Sequence, residues 1–388
     1  MLINMKKYAE LLIIVVIYTV FSLGFLFFEC QECETRETVI LTSGINLGED
    51  SKDVSEEILS RFEDTLPEEY RGIGDGGEAL DTLVGPGAVF REIANAATGS
   101  MGGVGAFFGM LLGCIALSAL SEAGEGRLSD TASVGVTVVF GASVAGAVVP
   151  IFKEISEALR GAADFFEKFI PIATAVQVSS GAVNSASVSA AGMNVTASLL
   201  SGLGVPFFLS LAGFGLSAGL ISSFGEGTAS SLASGVKRFF MWAMGLVSAL
   251  MMGALSLQTY IASARDSAAM RAARYAASSM IPVVGGTVSG ALATLASGLS
   301  YVKGVVGVGA LAVLLSMLLS PLVILLLYRG AVSVAAGLSG YLGVRRAESL
   351  LSAVRGAFDL YLAVYAIASV LFVFEVVLFM MSGNMQST

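Results

Sequence analysis

Residues 305–328 carry no charged side chain, and segments like this one recur along the chain. A bilayer hydrocarbon core is about 30 Å thick, and a helix crosses it with about 20 apolar residues. Apolar spans of that kind are read at 101–120, 131–151, 169–190, 195–224, 239–262, 280–300, 305–328 and 358–381. The third is rich in serine and holds Gln177 and Asn184, so it should face protein rather than lipid. Residues 330–343 are too short to span and read as a re-entrant or interfacial piece. The pattern predicts an all-α, polytopic helical membrane protein with seven or eight spans. Composition agrees: only 13% of residues are charged, about half the share of a soluble domain.

The 388 residues divide into three parts. Residues 1–28 hold Lys6, Lys7 and an apolar run at 11–28, which reads as a signal peptide or an uncleaved anchor. Residues 29–98 form an acidic segment, expected to be extracytoplasmic. Its charge is concentrated: between Glu29 and Glu92 there are 17 acidic and 5 basic residues, against −9 for the whole chain. Such a segment repels nucleic acid and anionic surfaces. Within it Val54, Ile58, Leu59, Phe62 and Leu66 fall at helical spacing, which predicts an amphipathic surface helix. A second apolar stretch, from Leu80 to Ile93, is interrupted at Gly85-Pro86-Gly87. Residues 99–388 are the multi-span membrane domain.

Basic residues suggest an orientation. With residue 90 outside, eight crossings leave loops 121–130, 191–194, 263–279 and 329–357 in the cytoplasm. The two most basic of these, around Arg271 and around Arg345, both fall inside, as the positive-inside rule expects. The C-terminus is then outside, and the charged amphipathic stretch 153–168 is an outside loop.

The sequence excludes several chemistries. Histidine is absent, so there is no Ser-His-Asp triad and no HExxH zinc site. Gly304, Gly307 and Gly309 do not make a nucleotide loop, since no GxxxxGK[ST] is present. No cofactor is implied. An intramembrane enzyme would need a Ser-Lys or paired-carboxylate site, and no Lys or Asp falls inside the spans as read. Cys30 and Cys33 make a CxxC pair without a thioredoxin-type pattern. Glu375 is the clearest ionisable residue inside a span, with no obvious partner. Gly105, Gly109 and Gly113 form one row of small residues, suited either to packing within the chain or to contact between subunits. Gly215 with Gly219, and Gly286 with Gly290, repeat the spacing.

Beginning at Lys237, the chain reads KRFFMW into a span that ends in LSLQ. An Ala/Arg-rich amphipathic stretch follows, leading into Ile281-Pro282-Val283-Val284-Gly285-Gly286. These parts, in this order, resemble the stage III sporulation protein AE family of endospore-forming bacteria. The resemblance covers most of the chain from about residue 50 and is strongest across 237–330. It implies a mother-cell membrane component of a channel-like complex around the engulfed forespore, needed for late forespore development. Implied partners are the other AA–AH proteins of the set and the forespore protein Q. The ATPase of that set, AA, is a separate subunit, so this chain is expected to be no enzyme. A homo-oligomer is compatible with this reading. The family has no established catalytic residues to carry over. The rival reading is an autonomous secondary transporter, which would want paired broken helices and a charged midplane site.

Irregular backbone at membrane depth is tolerated where it is buried in protein or lines a cavity. The functional expectation therefore falls on Ile281, Pro282, Gly285 and Gly286, with Arg271 and Arg274 ahead of them. Leucine at both Gly285 and Gly286 should abolish sporulation while leaving expression unchanged. A wild-type spore count in that double mutant would overturn the assignment.

Overall fold

The computed structural model describes residues 57–58, 60–62, 64, 86–123, 127–200, 213, 217, 228–280 and 285–382. The leader, Cys30, Cys33, Gly215, Gly219, Ile281 and Pro282 lie outside the described residues. From residue 86 onward the described chain holds α1 (Pro86–Glu122), α2 (Arg127–Ser179), α3 (Val183–Ser198), α4 (Thr228–Met280), α5 (Gly285–Tyr341) and α6 (Arg345–Met381). Pro86 opens α1, where a proline costs no hydrogen bond. Five helices contain stretches long and apolar enough to cross a membrane: Arg91–Glu122, Ala132–Ser179, Met241–Ala273, Val302–Tyr341 and Arg345–Met381.

Several expected loops are helix. Residues 131–151, 153–168 and 169–179 are one continuous helix, so 153–168 is no outside loop. The serine-rich span expected at 169–190 is instead divided by a turn at Gly181. Residues 280–300, 305–328 and 330–343 do not form separate pieces either, because α5 runs unbroken from Gly285 to Tyr341. A continuous helix cannot reverse, so it cannot make two crossings. Helix α4 ends at Met280 and α5 begins at Gly285.

Two reversals share one chemistry. At the end of α2, Gly181 has φ +83. Its N–H donates to Val178 O and that of Ala182 to Gln177 O, both at 2.9 Å. At the end of α5, Gly343 has φ +75. There Gly343 N–H donates to Gly340 O at 3.1 Å and Val344 N–H to Ser339 O at 3.0 Å. Both are Schellman turns, which need a left-handed residue and bury an apolar one just after it. Ala182 and Val344 are those buried residues.

Aromatic contacts set the registers. Phe152 of α2 stacks on Tyr361 of α6 at 4.3 Å and meets Phe358 edge-on at 5.0 Å. Further along, Phe166 meets Phe372 at 4.7 Å and Phe169 meets Phe379 at 5.6 Å. Residue numbers rise together, so α2 and α6 run parallel. Between α5 and α6 they run in opposition. Lys303 reaches Ser382, Tyr365 donates to Leu318 O at 3.0 Å, and Arg329 pairs with Asp359. Pro321 removes the hydrogen bond that Met317 O would otherwise accept, and Tyr365 supports the neighbouring carbonyl. The amphipathic helix expected around Phe62 docks here: Ile58 and Phe62 are buried in the same core, and Phe62 meets Phe169 at 6.3 Å.

These registers define two ends. One carries the α1–α2 connection and the α5–α6 turn, with Arg345 and with Arg346 bonded to Ser133. The other carries the α2–α3 turn and Ser382. The α4 segment around Arg271 lies at this second end, since a side chain at Gly181 would meet Met270 Cε at 2.6 Å. The two most basic segments therefore sit at opposite ends, and the expectation that both are cytoplasmic does not hold. Continuous helices, which the charge count took for loops, are the reason.

Alanine at Gly343 has open space but the wrong φ, so it should destabilise by about 1–2 kcal/mol. Valine at Gly307 should cost about 1–3 kcal/mol through overpacking, because an added Cβ there would clash with Met380 Cγ. Thermal unfolding in detergent would check both. An unchanged midpoint for Gly307→Val would refute the α5–α6 register.

Candidate functional site

Helix ends leave four N–H or four C=O groups without intrahelical partners, and in a low-dielectric interior each is expensive. At the second end of the bundle this problem is solved with buried charges. The N-cap position of α3 is Ala182, which offers no capping side chain. Asp266 of α4 supplies the cap from across the interface. Its Oδ1 accepts from the Asn184 backbone N–H at 2.9 Å and from Asn184 Nδ2 at 2.8 Å. Its Oδ2 accepts from the Ser185 N–H at 2.8 Å. Negative charge at a helix N-terminus also complements the helix dipole.

The opposite case closes α6. Ser382 is its C-cap residue. Lys303 Nζ donates to Ser382 Oγ at 3.0 Å, and Gln177 Nε2 donates to the same atom at 2.7 Å. Ser382 Oγ in turn donates to Phe379 O at 2.8 Å. The ammonium stands 5.4 Å from the Phe379 ring centroid, so a cation lies at the negative end of the helix, where it is favourable. Lys303 thus lies within α5, rather than between two spans as the sequence suggested. Gln177 is buried and faces protein, as the sequence suggested.

Glu375 is the third buried charge, and it caps nothing. It is 2% exposed. Thr196 Oγ1 of α3 donates to its Oε1 at 3.0 Å, which is the partner the sequence did not reveal. A Cβ at Gly192 would lie 3.2 Å from both carboxylate oxygens. Among the described residues, no Lys or Arg pairs with it within 4 Å. It is the group in this cluster whose charge is left without a structural partner of opposite sign.

Of the residues singled out from sequence, Ile281 and Pro282 lie outside the described residues. Arg271 is exposed on α4, and Arg274 lies one turn further on the same helix. Gly285 and Gly286 open α5. Gly105, Gly109 and Gly113 are exposed with nothing within 4 Å of an added Cβ, so that row makes no packing contact within the described chain. Cys114 is a half-buried free thiol against the core. Asp266, Lys303 and Ser382 were missed because the spans were drawn to stop short of them. The absent cap at Ala182 was the available signal for Asp266. Among the described residues no group of three or more His, Cys, Asp or Glu could hold a metal.

A family model for stage III sporulation protein AE matches residues 87–383. No curated protein matches the chain, and no solved structure does.

Replacing Asp266 with alanine strands two α3 N–H groups and should cost on the order of 3 kcal/mol. Glu375→Gln keeps the bond from Thr196 and should leave the unfolding midpoint near that of the parent. A loss of stability in Glu375→Gln as large as that in Asp266→Ala would show that Glu375 is a structural charge too.

Proposed function

The chain belongs to the stage III sporulation protein AE family, and from that premise we propose that it is a membrane component of the channel complex linking mother cell and engulfed forespore. Family membership gives it a sporulation role. Helices long and apolar enough to span a bilayer make it a membrane protein. In the proposed reading it resides in the mother-cell membrane around the forespore and works with the other AA–AH proteins and the forespore protein Q. It contributes no enzymatic step; energy from ATP would come from the separate AA subunit. The acidic N-terminal segment would face the space between the two membranes. The docking of Phe62 on Phe169, in the half of α2 next to the α3 turn, supports placing that end of the bundle on the same side.

The observation that carries this reading is the family match across nearly all of the described helical domain. One feature favours a secondary transporter instead, namely Glu375, a buried carboxylate with no cationic partner among the described residues. The two readings separate in one experiment. Deleting the gene in its native spore former should arrest development after engulfment, with small, collapsing forespores. Normal spores would overturn the channel reading. Solute flux in proteoliposomes holding this chain alone would then support the transporter.

A further inference from the structure

The amphipathic stretch of α2 lies at an unexpected level. Taking 3.6 residues per turn, Lys153, Glu157, Arg160, Asp164, Glu167 and Lys168 fall within about 100° of helix circumference. All six are exposed, while Ile155, Leu159, Ala162 and Phe166 on the opposite face are buried in the core. Lys153 and Glu157 approach to 3.9 Å along the face. With Glu154, which is also exposed and lies about 40° beyond Lys168, the stretch carries three basic and four acidic residues.

The registers place this face beside the most apolar part of the molecule. A Cβ at Gly161 would lie 3.4 Å from Met317 Cε. Met317 is near the centre of 304–328, a part of α5 without a charged residue. On α6, Phe152 and Phe166 bracket the same level through Tyr361 and Phe372. Within that level the exposed large side chains of α5 and α6 are apolar, Leu326 at 45% and Val370 at 52%, and the part-exposed Arg329–Asp359 pair marks its edge beside Phe152. One level of the bundle thus presents hydrocarbon on one side and six charges on the other. An uncharged helix of this length belongs in lipid. Charged side chains at that depth do not face lipid; they face protein or water. Nothing among the described residues covers them, and their long side chains point outward.

We propose that the charged face of α2 forms one wall of a water-filled path through the membrane, used by hydrophilic solutes. The inference rests on the channel reading above and gives that channel a lining. With three basic and four acidic groups interspersed along the stretch, the path discriminates little by the sign of a solute's charge. The apolar faces carrying Leu326 and Val370 form the lipid-facing side.

The test is thiol accessibility in the full chain within native membranes. The background carries Cys30→Ser, Cys33→Ser and Cys114→Ser. Single cysteines are then placed at Glu157 and Asp164 on the charged face, and at Leu326 and Val370 on the apolar one. A charged, membrane-impermeant maleimide should label Glu157→Cys and Asp164→Cys at least about tenfold faster than Leu326→Cys and Val370→Cys, because only the first pair meets water. A small lipid-permeant maleimide should reach the apolar pair. Equal labelling of all four by the charged reagent would put this level outside the hydrocarbon and overturn the proposal. No labelling of the α2 pair would mean that protein covers the face, and would overturn it equally. Labelling is read without reference to spore yield, so it can fail while the sporulation role stands, and hold while that role fails.

Discussion

The parallel seam between α2 and α6 is the contact on which the other registers depend. Helices in lipid gain little from hiding apolar surface, since lipid tails are as apolar as the side chains they replace. What holds them is close packing and hydrogen bonds. The seam supplies both. Phe152, Phe166 and Phe169 meet Tyr361, Phe372 and Phe379 in sequence, each ring pair worth about 0.5–1.5 kcal/mol beyond burial. Tyr361 adds a hydrogen bond to Phe152 O at 2.8 Å. Slipping the seam by one turn would break every pair at once. With α6 placed, the left-handed turn at Gly343 returns α5 alongside it, and close approach at Gly307 keeps the two backbones together.

Three charges are buried in this apolar body, and the fold treats them differently. Asp266 and Lys303 meet helix ends whose partial charges are opposite to their own, so most of the desolvation cost is offset locally. Each ties together elements far apart in sequence: α4 to α3, and α5 to α6. Among the described residues Glu375 has only a neutral donor, Thr196, and a tight glycine contact at Gly192. A carboxylate kept in such surroundings costs stability, and function is the usual reason for keeping one.

Much of the architecture was legible in the chain before any coordinates. Apolar runs of membrane length marked the spanning helices, and the spacing of Ile58 and Phe62 marked a docking face. The KRFFMW to IPVVGG stretch carried the family. Continuity between runs was not legible. An amphipathic stretch such as 153–168 has the same helical period whether it is a surface loop or the middle of a longer helix. The glycines that reverse the chain after α2 and α5, Gly181 and Gly343, look locally like the many glycines that do not. The candidate site fared worse. The buried charges were not legible, because capping partners are chosen in space and leave no spacing signal.

What the sequence alone determined is the solvent this protein lives in, its helical class and its family, since each follows from local composition and order. The tertiary structure decided which charges face which surroundings. Lys303 ends at a helix C-terminus, Asp266 at an N-terminus, and the six charges of α2 level with an uncharged stretch of α5. The physical reason is register: side-chain depth depends on how neighbouring helices slide past one another, and that is settled by aromatic and glycine contacts between segments more than two hundred residues apart in the case of α2 and α6.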